Sequence, residues 1–303
     1  MTEDRRGLVL GVAAYTLWGT FPLYWPLLEP SGALEILAHR VVWSLLTMAV
    51  LVVVLRRRAH LRAILADRRV TLLLVLAAVT ITANWTTYIY GVNSGRVVET
   101  SLGYFINPLV TVLMGVLVLR ERLRPLQWAA LGVGVAAVCV LAWDYGRPPW
   151  IALVLAFSFG TYGLAKKTAG VGAVESLTFE TAAIAPVALG YLVVLGRHGD
   201  GHFTSEGVGH ALLLTTTGIV TAIPLICFGA AATRVSMVSL GLLQYIAPTM
   251  QFALGLLVFS ETMTAGRWLG FVLVWGALAV FTYEALHHRR RQLVLAATAS
   301  SAG

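Results

Sequence analysis

The sequence predicts an all-α polytopic membrane protein in which ten transmembrane helices form two inverted five-helix repeats. Three observations support this prediction: a composition poor in charge, ten long apolar runs, and a repeat within the chain. Of the 303 residues, 58% are hydrophobic and only 12% are charged, and the mean hydropathy is +0.80. A soluble domain carries about 25% charged residues. The composition therefore excludes a soluble globule and an intrinsically disordered chain.

Each apolar run is long enough to cross a bilayer as a helix. A span needs about 20 apolar residues to cross ~30 Å of hydrocarbon, and only helices and closed barrels satisfy their own backbone there. The runs are too continuous for barrel strands, which alternate over about 10 residues. The predicted spans are Gly7–Leu28, Leu34–Leu55, Val70–Gly91, Val98–Leu119, Leu126–Trp143, Trp150–Ala165, Val174–Leu195, Val208–Ala231, Val235–Phe259 and Gly266–Leu286.

The basic residues lie between the apolar runs and set the expected orientation. If the N-terminus is cytoplasmic, 17 lysines and arginines fall in cytoplasmic segments and four in the opposite ones. This excess is the positive-inside pattern, and it supports an even number of spans with both termini cytoplasmic. We expect a multi-pass protein of the inner or plasma membrane, surrounded by the lipid bilayer. The net charge of +8 is spread over short clusters, so nucleic acid is not an expected partner.

Part of the first half matches part of the second at an offset of 140 residues. Residues 101–128 align without a gap on residues 241–268, and eight of the 28 positions are identical. Because each half holds five spans, an odd number, the second half enters the membrane from the opposite side. We expect a first repeat at residues 1–145, an inverted repeat at 146–286 and a basic cytoplasmic tail at 287–303. The most informative identities pair Pro108 with Pro248, Gly115 with Gly255, Glu121 with Glu261 and Trp128 with Trp268.

Four stretches of the chain resemble EamA-type members of the drug/metabolite transporter (DMT) superfamily, and more narrowly its RarD subgroup. They are Tyr15-Thr-Leu-Trp-Gly-Thr-Phe-Pro22, Ala38-His-Arg40, Asn84-Trp-Thr-Thr-Tyr88 and Ser101-Leu-Gly-Tyr-Phe-Ile-Asn-Pro108. The resemblance covers residues 7–286 and implies an inner-membrane permease that exports drugs or metabolites, so its partner is a small-molecule substrate. The chain departs from the subgroup at Arg96, where a histidine is expected.

Polar and aromatic residues inside the spans are candidates for lining a substrate path, because polar groups in lipid usually face the bundle interior. Proline at equivalent positions of both halves indicates such a site; this marks Pro108 and Pro248 as hinges, with Pro22 as a third. We expect Gln244, Pro248 and Gln251 on one face of the ninth helix. Alternatively, the prolines only kink helices and the aromatic residues only pack. The candidates, which suit a neutral or zwitterionic amphipathic solute, are Tyr15, Trp18, Asn84, Trp85, Tyr88, Tyr104, Asn107, Gln244, Tyr245 and Gln251.

Arg40 and Glu180 are the two charged residues that lie clearly within spans, and the 140-residue offset makes them equivalent. Their depths differ by ~16 Å along the membrane normal, so a direct salt bridge between them is not expected. Each is instead expected to pair in its own leaflet, and such pairs are candidate gates that open alternately. The alternative is that both side chains reach toward the nearer interface and only fix the helix position. The expected partners are Glu99 for Arg40, and Arg234, Lys166 or Lys167 for Glu180.

The sequence therefore favours a membrane carrier that moves a small amphipathic organic solute by alternating access, with export as the expected direction. Glu180 leaves open a proton-coupled or exchange-type permease for amino acids or metabolites. An intramembrane enzyme is disfavoured because the spans hold no acid pair, nucleophile elbow or zinc motif, and a sensor because no loop exceeds about 16 residues. No cofactor or metal is expected. Small-residue spacings, such as Gly266 with Gly270, permit close packing within the chain or in a homodimer.

Overall fold

The computed structural model describes residues 3–120, 123–232, 234–235 and 242–301, and most of that part is helical. Short loops join the helices, and no strand occurs within these ranges. The helices are α1 (Glu3–Gly19), α2 (Phe21–Tyr24), α3 (Ala33–Val54), α4 (Arg58–Ala66), α5 (Arg68–Asn93), α6 (Val97–Leu119), α7 (Pro125–Tyr145), α8 (Trp150–Ala169), α9 (Ala173–His198), α10 (Gly207–Ala232), α11 (Ile246–Leu257) and α12 (Ala265–Ser301), and a 3₁₀ turn (Trp25–Leu28) follows α2.

The surface of these helices is that of a membrane protein. Within the described ranges, seven helices are long and apolar enough to cross a bilayer, and a bent pair at the start of the chain makes eight. α8 and α11 are apolar but contribute shorter stretches. Large apolar side chains point outward, since Leu257 is 82% exposed, Val187 71% and Val54 68%. Apolar surface of this extent is stable against lipid and not against water. The chain is an all-helical, multi-pass membrane protein.

The first predicted span, Gly7–Leu28, is broken rather than straight. The chain turns by 43° between α1 and the segment formed by α2 and the 3₁₀ turn. Pro22 and Pro26 stand in the first turns of these two short pieces. Proline is tolerated there because the first N–H groups of a helix have no partner within it. The break therefore lies next to Pro22, one of the predicted hinge residues.

Most other predicted spans agree with the helices to within about four residues at each end, but two ends differ by more. The ninth span was expected from Val235, whereas α11 begins at Ile246 after a turn; residues 236–241 lie outside the described ranges. The last helix does not stop near residue 286. It continues to Ser301, so residues 287–301 of the expected tail belong to α12. The short basic helix α4 was not predicted.

Helices of the first half of the chain pack mainly against helices of the second half. α3 packs on α9 and α10, and α1 packs on α10 and α11. α8 packs on α5 and α6, and α9 also contacts α5. α6 packs on α11, and α7 pairs with α12. The candidate site residues lie where these helices meet.

Two glycines permit especially close approaches between helices. A β-carbon on Gly218 of α10 would overlap the backbone of Trp43 in α3. A β-carbon on Gly103 of α6 would overlap Ala152 in α8. Small residues let helix backbones approach more closely than larger side chains do. Gly218 in this way brings α10 onto α3, and Thr221, one turn further along α10, reaches the interior of the bundle.

Candidate functional site

Arg40 is buried in the second turn of α3, with 4% of its surface exposed. Its Nε donates a hydrogen bond to Thr221 Oγ1 at 2.9 Å. The guanidinium carbon lies 3.9 Å from the centroid of the Trp85 ring and 5.1 Å from that of Trp25. No carboxylate oxygen of the described residues lies within 4.0 Å of its nitrogens. Arg40 is therefore enclosed by the bundle, and whether it fixes the position of α3 stays a prediction.

Glu99 does not pair with Arg40, and that prediction is wrong. The Glu99 carboxylate is buried in the first turn of α6, where Arg147 Nη2 donates to it at 2.8 Å and Ile151 N at 3.2 Å. The hydrogen bond to Glu99 raises the pKa of Arg147. Arg147 stands in the short loop between α7 and α8, and nothing in the sequence indicates that this loop folds over the start of α6.

Glu180 lies within α9, with 1% of its surface exposed. Its carboxylate has both hydrogen-bond donors and a cation as partners. The hydroxyls of Ser176 and Tyr162 donate to its carboxylate, the latter at 3.2 Å. Lys166 Nζ lies 3.5 Å from Glu180 Oε1 and also donates to Tyr162 Oη at 2.8 Å. Lys166, one of the three cations expected for Glu180, therefore lies beside it.

The remaining expectations about these charges have different outcomes. Arg234 Nη1 donates to the carbonyl oxygen of Ala230 at 2.8 Å. The side chain of Lys167 lies outside the described part of the structure. Arg40 and Glu180 are not within salt-bridge distance of each other, as the difference in their depths predicts. Whether any of these charges acts as a gate stays a prediction.

Asn84 connects three helices around the buried arginine. Its Nδ2 donates to the Leu155 carbonyl oxygen at 3.0 Å and to Ser158 Oγ at 3.1 Å, both in α8. Its Oδ1 accepts from Tyr104 Oη in α6 at 3.2 Å. The rings of Tyr88 and Tyr104 are 5.7 Å apart. The path candidates Asn84, Trp85, Tyr88 and Tyr104 are therefore brought together, on one side of Arg40.

The first helix supplies a second aromatic group. Tyr15 and Trp18 pack edge to face with ring centroids 5.3 Å apart, and both contact Phe228 of α10. Gln251 Nε2 of α11 donates to the backbone oxygen of Trp18 at 3.1 Å. The Oε1 atom of Gln251 is buried and has no hydrogen-bond partner in the described part of the chain. The second group therefore presents one unsatisfied acceptor.

Three path candidates do not join these two groups. Asn107 is half-buried in α6, and its Oδ1 lacks a partner within the described residues. Gln244 and Tyr245 are half-buried in the turn before α11. Tyr245 packs on the hydrophobic cluster formed by α6, α7, α8, α11 and α12. The sequence did not indicate that these positions separate, because the predicted ninth helix ran straight through residue 244.

The two equivalent prolines behave differently. α6 continues through Pro108, whereas Pro248 stands in the first turn of α11. Gln244 lies in the turn before α11, and the expectation that Gln244, Pro248 and Gln251 share one helical face stays a prediction. The hinge role of all three prolines stays a prediction.

Two buried glutamates that the sequence analysis missed tie both ends of α3 to α9. Glu35, in the first turn of α3, accepts from the His202 backbone N at 2.7 Å and lies 2.8 Å from its Nδ1. Glu175, in the first turn of α9, lies 3.3 Å from Arg57 Nη1. His202 follows α9, and Arg57 follows α3. We call these the two end contacts. The same 140-residue offset that relates Arg40 to Glu180 relates Glu35 to Glu175, so this signal was present in the sequence.

Glu261 caps the first turn of α6 from the loop between α11 and α12. The backbone N–H groups of Val97 and Val98 both donate to its carboxylate. An acceptor with negative charge at this place satisfies free N–H groups and complements the helix dipole. Burial nevertheless raises the pKa of the Glu261 carboxyl. Its repeat equivalent, Glu121, lies outside the described residues.

The interior of the bundle is therefore polar and aromatic, with a cation and an anion at different depths. Trp85 lines a narrow crevice together with Glu180 and Thr181. Aromatic faces combined with a few polar groups are typical of sites that bind organic molecules. A multi-pass helical protein with such a core has the architecture of a solute transporter.

Comparison with known proteins agrees with this class. The model of the EamA-like transporter family matches residues 5–143. The chain is 57% identical over 289 residues to "Protein RarD" of Streptomyces exfoliatus, covering 95% of this chain and 92% of that one. It is 41% identical over 292 residues to "Uncharacterized transporter YojE" of Bacillus subtilis, covering 95% and 97%. The chain belongs to the EamA-like transporters of the drug/metabolite transporter superfamily, in the RarD subgroup.

A solved crystal structure has the same fold. It superimposes with a TM-score of 0.60 over 93% of this chain and 98% of its own, at 19% sequence identity. At that identity the likeness concerns the helical architecture alone.

Proposed function

We propose that this membrane transporter is a carrier that moves a small amphipathic organic solute by alternating access of two inverted five-helix repeats. In this proposal the first repeat, residues 1–145, contains α1 to α7, and the second, residues 146–286, contains α8 to α11 and most of α12. Ten spans result when the bent first segment and the two shorter apolar helices are each counted as one crossing and α4 is not.

The observation that carries the proposal is the symmetry of helix packing. The offset exchanges α1 with α8, α3 with α9, α5 with α10, α6 with α11 and α7 with α12. Under that exchange, the α1–α10 contact becomes α8–α5, and α1–α11 becomes α8–α6; all four contacts exist. The α3–α10 contact becomes α9–α5, which also exists, and the pairs α3–α9, α6–α11 and α7–α12 map onto themselves. Such a relation is expected of inverted repeats.

The two end contacts fit the same exchange. Glu35 with His202 and Glu175 with Arg57 lie at opposite ends of the antiparallel pair α3 and α9. α3 has 22 residues, which separates the ends by about 33 Å at 1.5 Å per residue. Opening the α3–α9 pair at one end breaks the end contact there and leaves the contact at the other end in place. The two halves are thereby able to separate at either end in turn, around the site between them.

The chemistry of the lining supports an organic solute. Trp85, Tyr88 and Tyr104 offer aromatic faces, and Asn84 fixes their arrangement through hydrogen bonds. The proposal places both termini in the cytoplasm, which the distribution of basic residues supports, and takes export as the direction that the resemblance to drug/metabolite transporters implies. A proton-coupled carrier is the second candidate, supported by Glu180, the carboxylate buried beside Lys166 and Tyr162.

Transport in proteoliposomes tests this function. Purified protein is reconstituted and loaded with unlabelled members of a panel of amphenicols, amino acids and nucleobases, and entry of the radiolabelled solute is followed with and without a pH gradient. We expect saturable counterflow for at least one solute, which empty liposomes do not show. Absence of counterflow across the panel, from protein that is folded by circular dichroism, would count against a carrier. Cysteine labelling that finds the two termini on different faces would remove the inverted symmetry.

A further inference from the structure

We propose that Arg40 binds the carboxylate of the transported solute, so that the site selects organic monoanions with an aromatic or apolar body. This inference rests on the proposed carrier function and adds the substrate class. The observation behind it is a buried cation whose counter-charge is absent from the described part of the chain.

Among the described residues, no carboxylate compensates the charge of Arg40. Its side chain is 4% exposed, and no carboxylate of the described residues lies within salt-bridge distance. A buried charge is strongly destabilising unless it is paired and hydrogen-bonded. The Thr221 hydroxyl and the ring of Trp85 supply part of the stabilisation, but neither carries a negative charge.

Glu180, at the equivalent position of the second repeat, is a buried charge whose partners are all supplied by the protein. Glu180 has a cation, Lys166, and two hydroxyl donors, Tyr162 and Ser176. Around Arg40, the elements of the first repeat supply aromatic faces from Phe21, Trp25 and Trp85 instead. Among the described residues, one of the two equivalent interior charges therefore has an oppositely charged partner, and the other has none.

The two terminal nitrogens of Arg40 have the arrangement that binds a carboxylate. Nε is occupied by Thr221, and Trp85 covers the guanidinium plane. Nη1 and Nη2 have no acceptor among the described residues, and together they form the fork that binds a carboxylate through two parallel hydrogen bonds. Two further buried donors in the same hydrophobic cluster, Trp25 Nε1 and Tyr88 Oη, are also without partners there.

The aromatic surroundings specify the body of the ligand. Trp25, Tyr88 and Tyr104 belong to or pack against the cluster that contains Arg40's neighbours, and their faces match an apolar or aromatic group by stacking and burial. A small inorganic anion would leave these faces unused. An aromatic carboxylate uses both the fork and the rings.

Three probes of similar size and different charge test the proposal. Benzoate, benzamide and benzylamine are titrated at pH 7 into the purified protein in dodecyl maltoside, and binding is followed by tryptophan fluorescence and by the thermal unfolding midpoint. We expect saturable benzoate binding that is at least tenfold tighter than that of benzamide, and none for benzylamine. Equal responses to benzoate and benzamide would overturn the carboxylate site.

Variants assign the response to Arg40. Arg40→Gln is expected to lower benzoate affinity at least tenfold, and Arg40→Lys, which keeps the charge and loses the fork, to lower it severalfold. The matched control is Arg267→Gln, because Arg267 also stacks on a ring, Tyr145, but is paired with Asp144; it should bind benzoate as the unmodified protein does. Unchanged benzoate affinity in folded Arg40→Gln would overturn the proposal. If that variant does not fold, Arg40→Lys and the three-probe comparison decide.

The same protein in proteoliposomes separates this inference from the proposed function. Counterflow of a neutral solute by protein that does not bind benzoate would overturn the anion site and leave the carrier function standing. Benzoate binding that depends on Arg40, without counterflow of any solute or of benzoate itself, would support the anion site and count against the carrier.

Discussion

Glu35 and Glu175 occupy the same place in α3 and α9, and each carboxylate holds the loop that follows the other helix. Glu35 lies 2.8 Å from His202 Nδ1, and Glu175 lies 3.3 Å from Arg57 Nη1. Both glutamates are buried in the first turn of their helices, where the helix dipole favours a negative charge. The pair α3–α9 is therefore fastened at both ends by equivalent residues with different partners.

Removing one end contact should loosen that end alone. We predict that Glu35→Gln increases the labelling rate of a cysteine introduced by Leu37→Cys about fivefold. Loss of one contact costs about 1 kcal/mol, and that free energy corresponds to a factor of about five in the population of the open state. The same variant should leave labelling of the equivalent Leu177→Cys unchanged, and Glu175→Gln should show the reverse pattern. A maleimide reagent measures both rates, in a background with Cys139 and Cys227 replaced by serine. Equal effects at both ends would contradict independent contacts.

Glu180 and Lys166 should behave as a coupled pair. Removing one partner of a buried ion pair leaves the other uncompensated. Because Lys166 keeps 22% exposure, we expect Glu180→Gln and Lys166→Met each to lower the free energy of unfolding by about 2–3 kcal/mol, less than for a fully buried pair. The double variant should lose less than the sum of the two. Unfolding in a denaturing detergent measures all four proteins, and strict additivity would mean that the pair is not coupled.

Asn84 should matter more for stability than any one of its partners. Asn84→Leu leaves the hydroxyl of Tyr104 and the side chain of Ser158 without this partner, and we predict a loss of about 2 kcal/mol. Tyr104→Phe removes one hydrogen bond and should cost about 1 kcal/mol or less. Thermal unfolding followed by circular dichroism measures both. A larger loss in Tyr104→Phe than in Asn84→Leu would contradict the role of Asn84 in connecting α5, α6 and α8.

Glu261 should give the protein a component of stability that increases on acidification. Burial raises the pKa of its carboxyl above the ordinary value, although Arg267 and the N–H groups of Val97 and Val98 act in the opposite direction. The folded state therefore holds this proton more tightly than the unfolded chain does. The stability contribution of Glu261 should rise as the pH falls through the raised pKa toward the ordinary value near 4.5. The unfolding midpoint, measured from pH 7.5 to 5, should rise less in Glu261→Gln than in the unmodified protein. Parallel curves for the two proteins would contradict this prediction.

Gly218 should tolerate no side chain. Gly218→Ala places a methyl group against the backbone of Trp43 and separates α10 from α3, and we expect a loss of about 1–3 kcal/mol. Gly163→Ala is the matched control, because nothing lies within 4 Å of its added β-carbon. That change should be neutral or stabilise the helix by up to about 1 kcal/mol. Equal unfolding midpoints for the two variants would show that the approach of α10 to α3 is not tight.

The positions of the spans were predictable because the signal is local. A helix such as α3 needs only about 20 consecutive apolar residues to be recognised, and its observed bounds, Ala33–Val54, differ from the predicted ones by one residue at each end. The start of α11 was not predictable in this way, because apolar residues continue through the turn at Gln244 and Tyr245. Hydropathy does not distinguish a helix from an apolar turn inside a bundle.

The candidate site was predictable in part. The residue types around Arg40 were identified, since polar and aromatic residues in lipid face the bundle interior, and Lys166 was named as a partner of Glu180. The partner of Glu99 was not, because Arg147 reaches it through the conformation of a loop. The end contact of Glu35 with His202 joins residues 167 positions apart, and only the repeat relating Glu35 to Glu175 hinted at it.

The length of α12 has a practical consequence. Its 37 residues make a rod of about 55 Å, nearly twice the ~30 Å of hydrocarbon that it has to cross. A fluorescent protein or affinity handle attached at Ser301, the last residue of α12, is therefore expected to lie beyond the lipid headgroups. Distance or orientation measurements made from such a fusion will report on α12 and its partner α7, which are the last helices of the two repeats, rather than on the helices around Arg40.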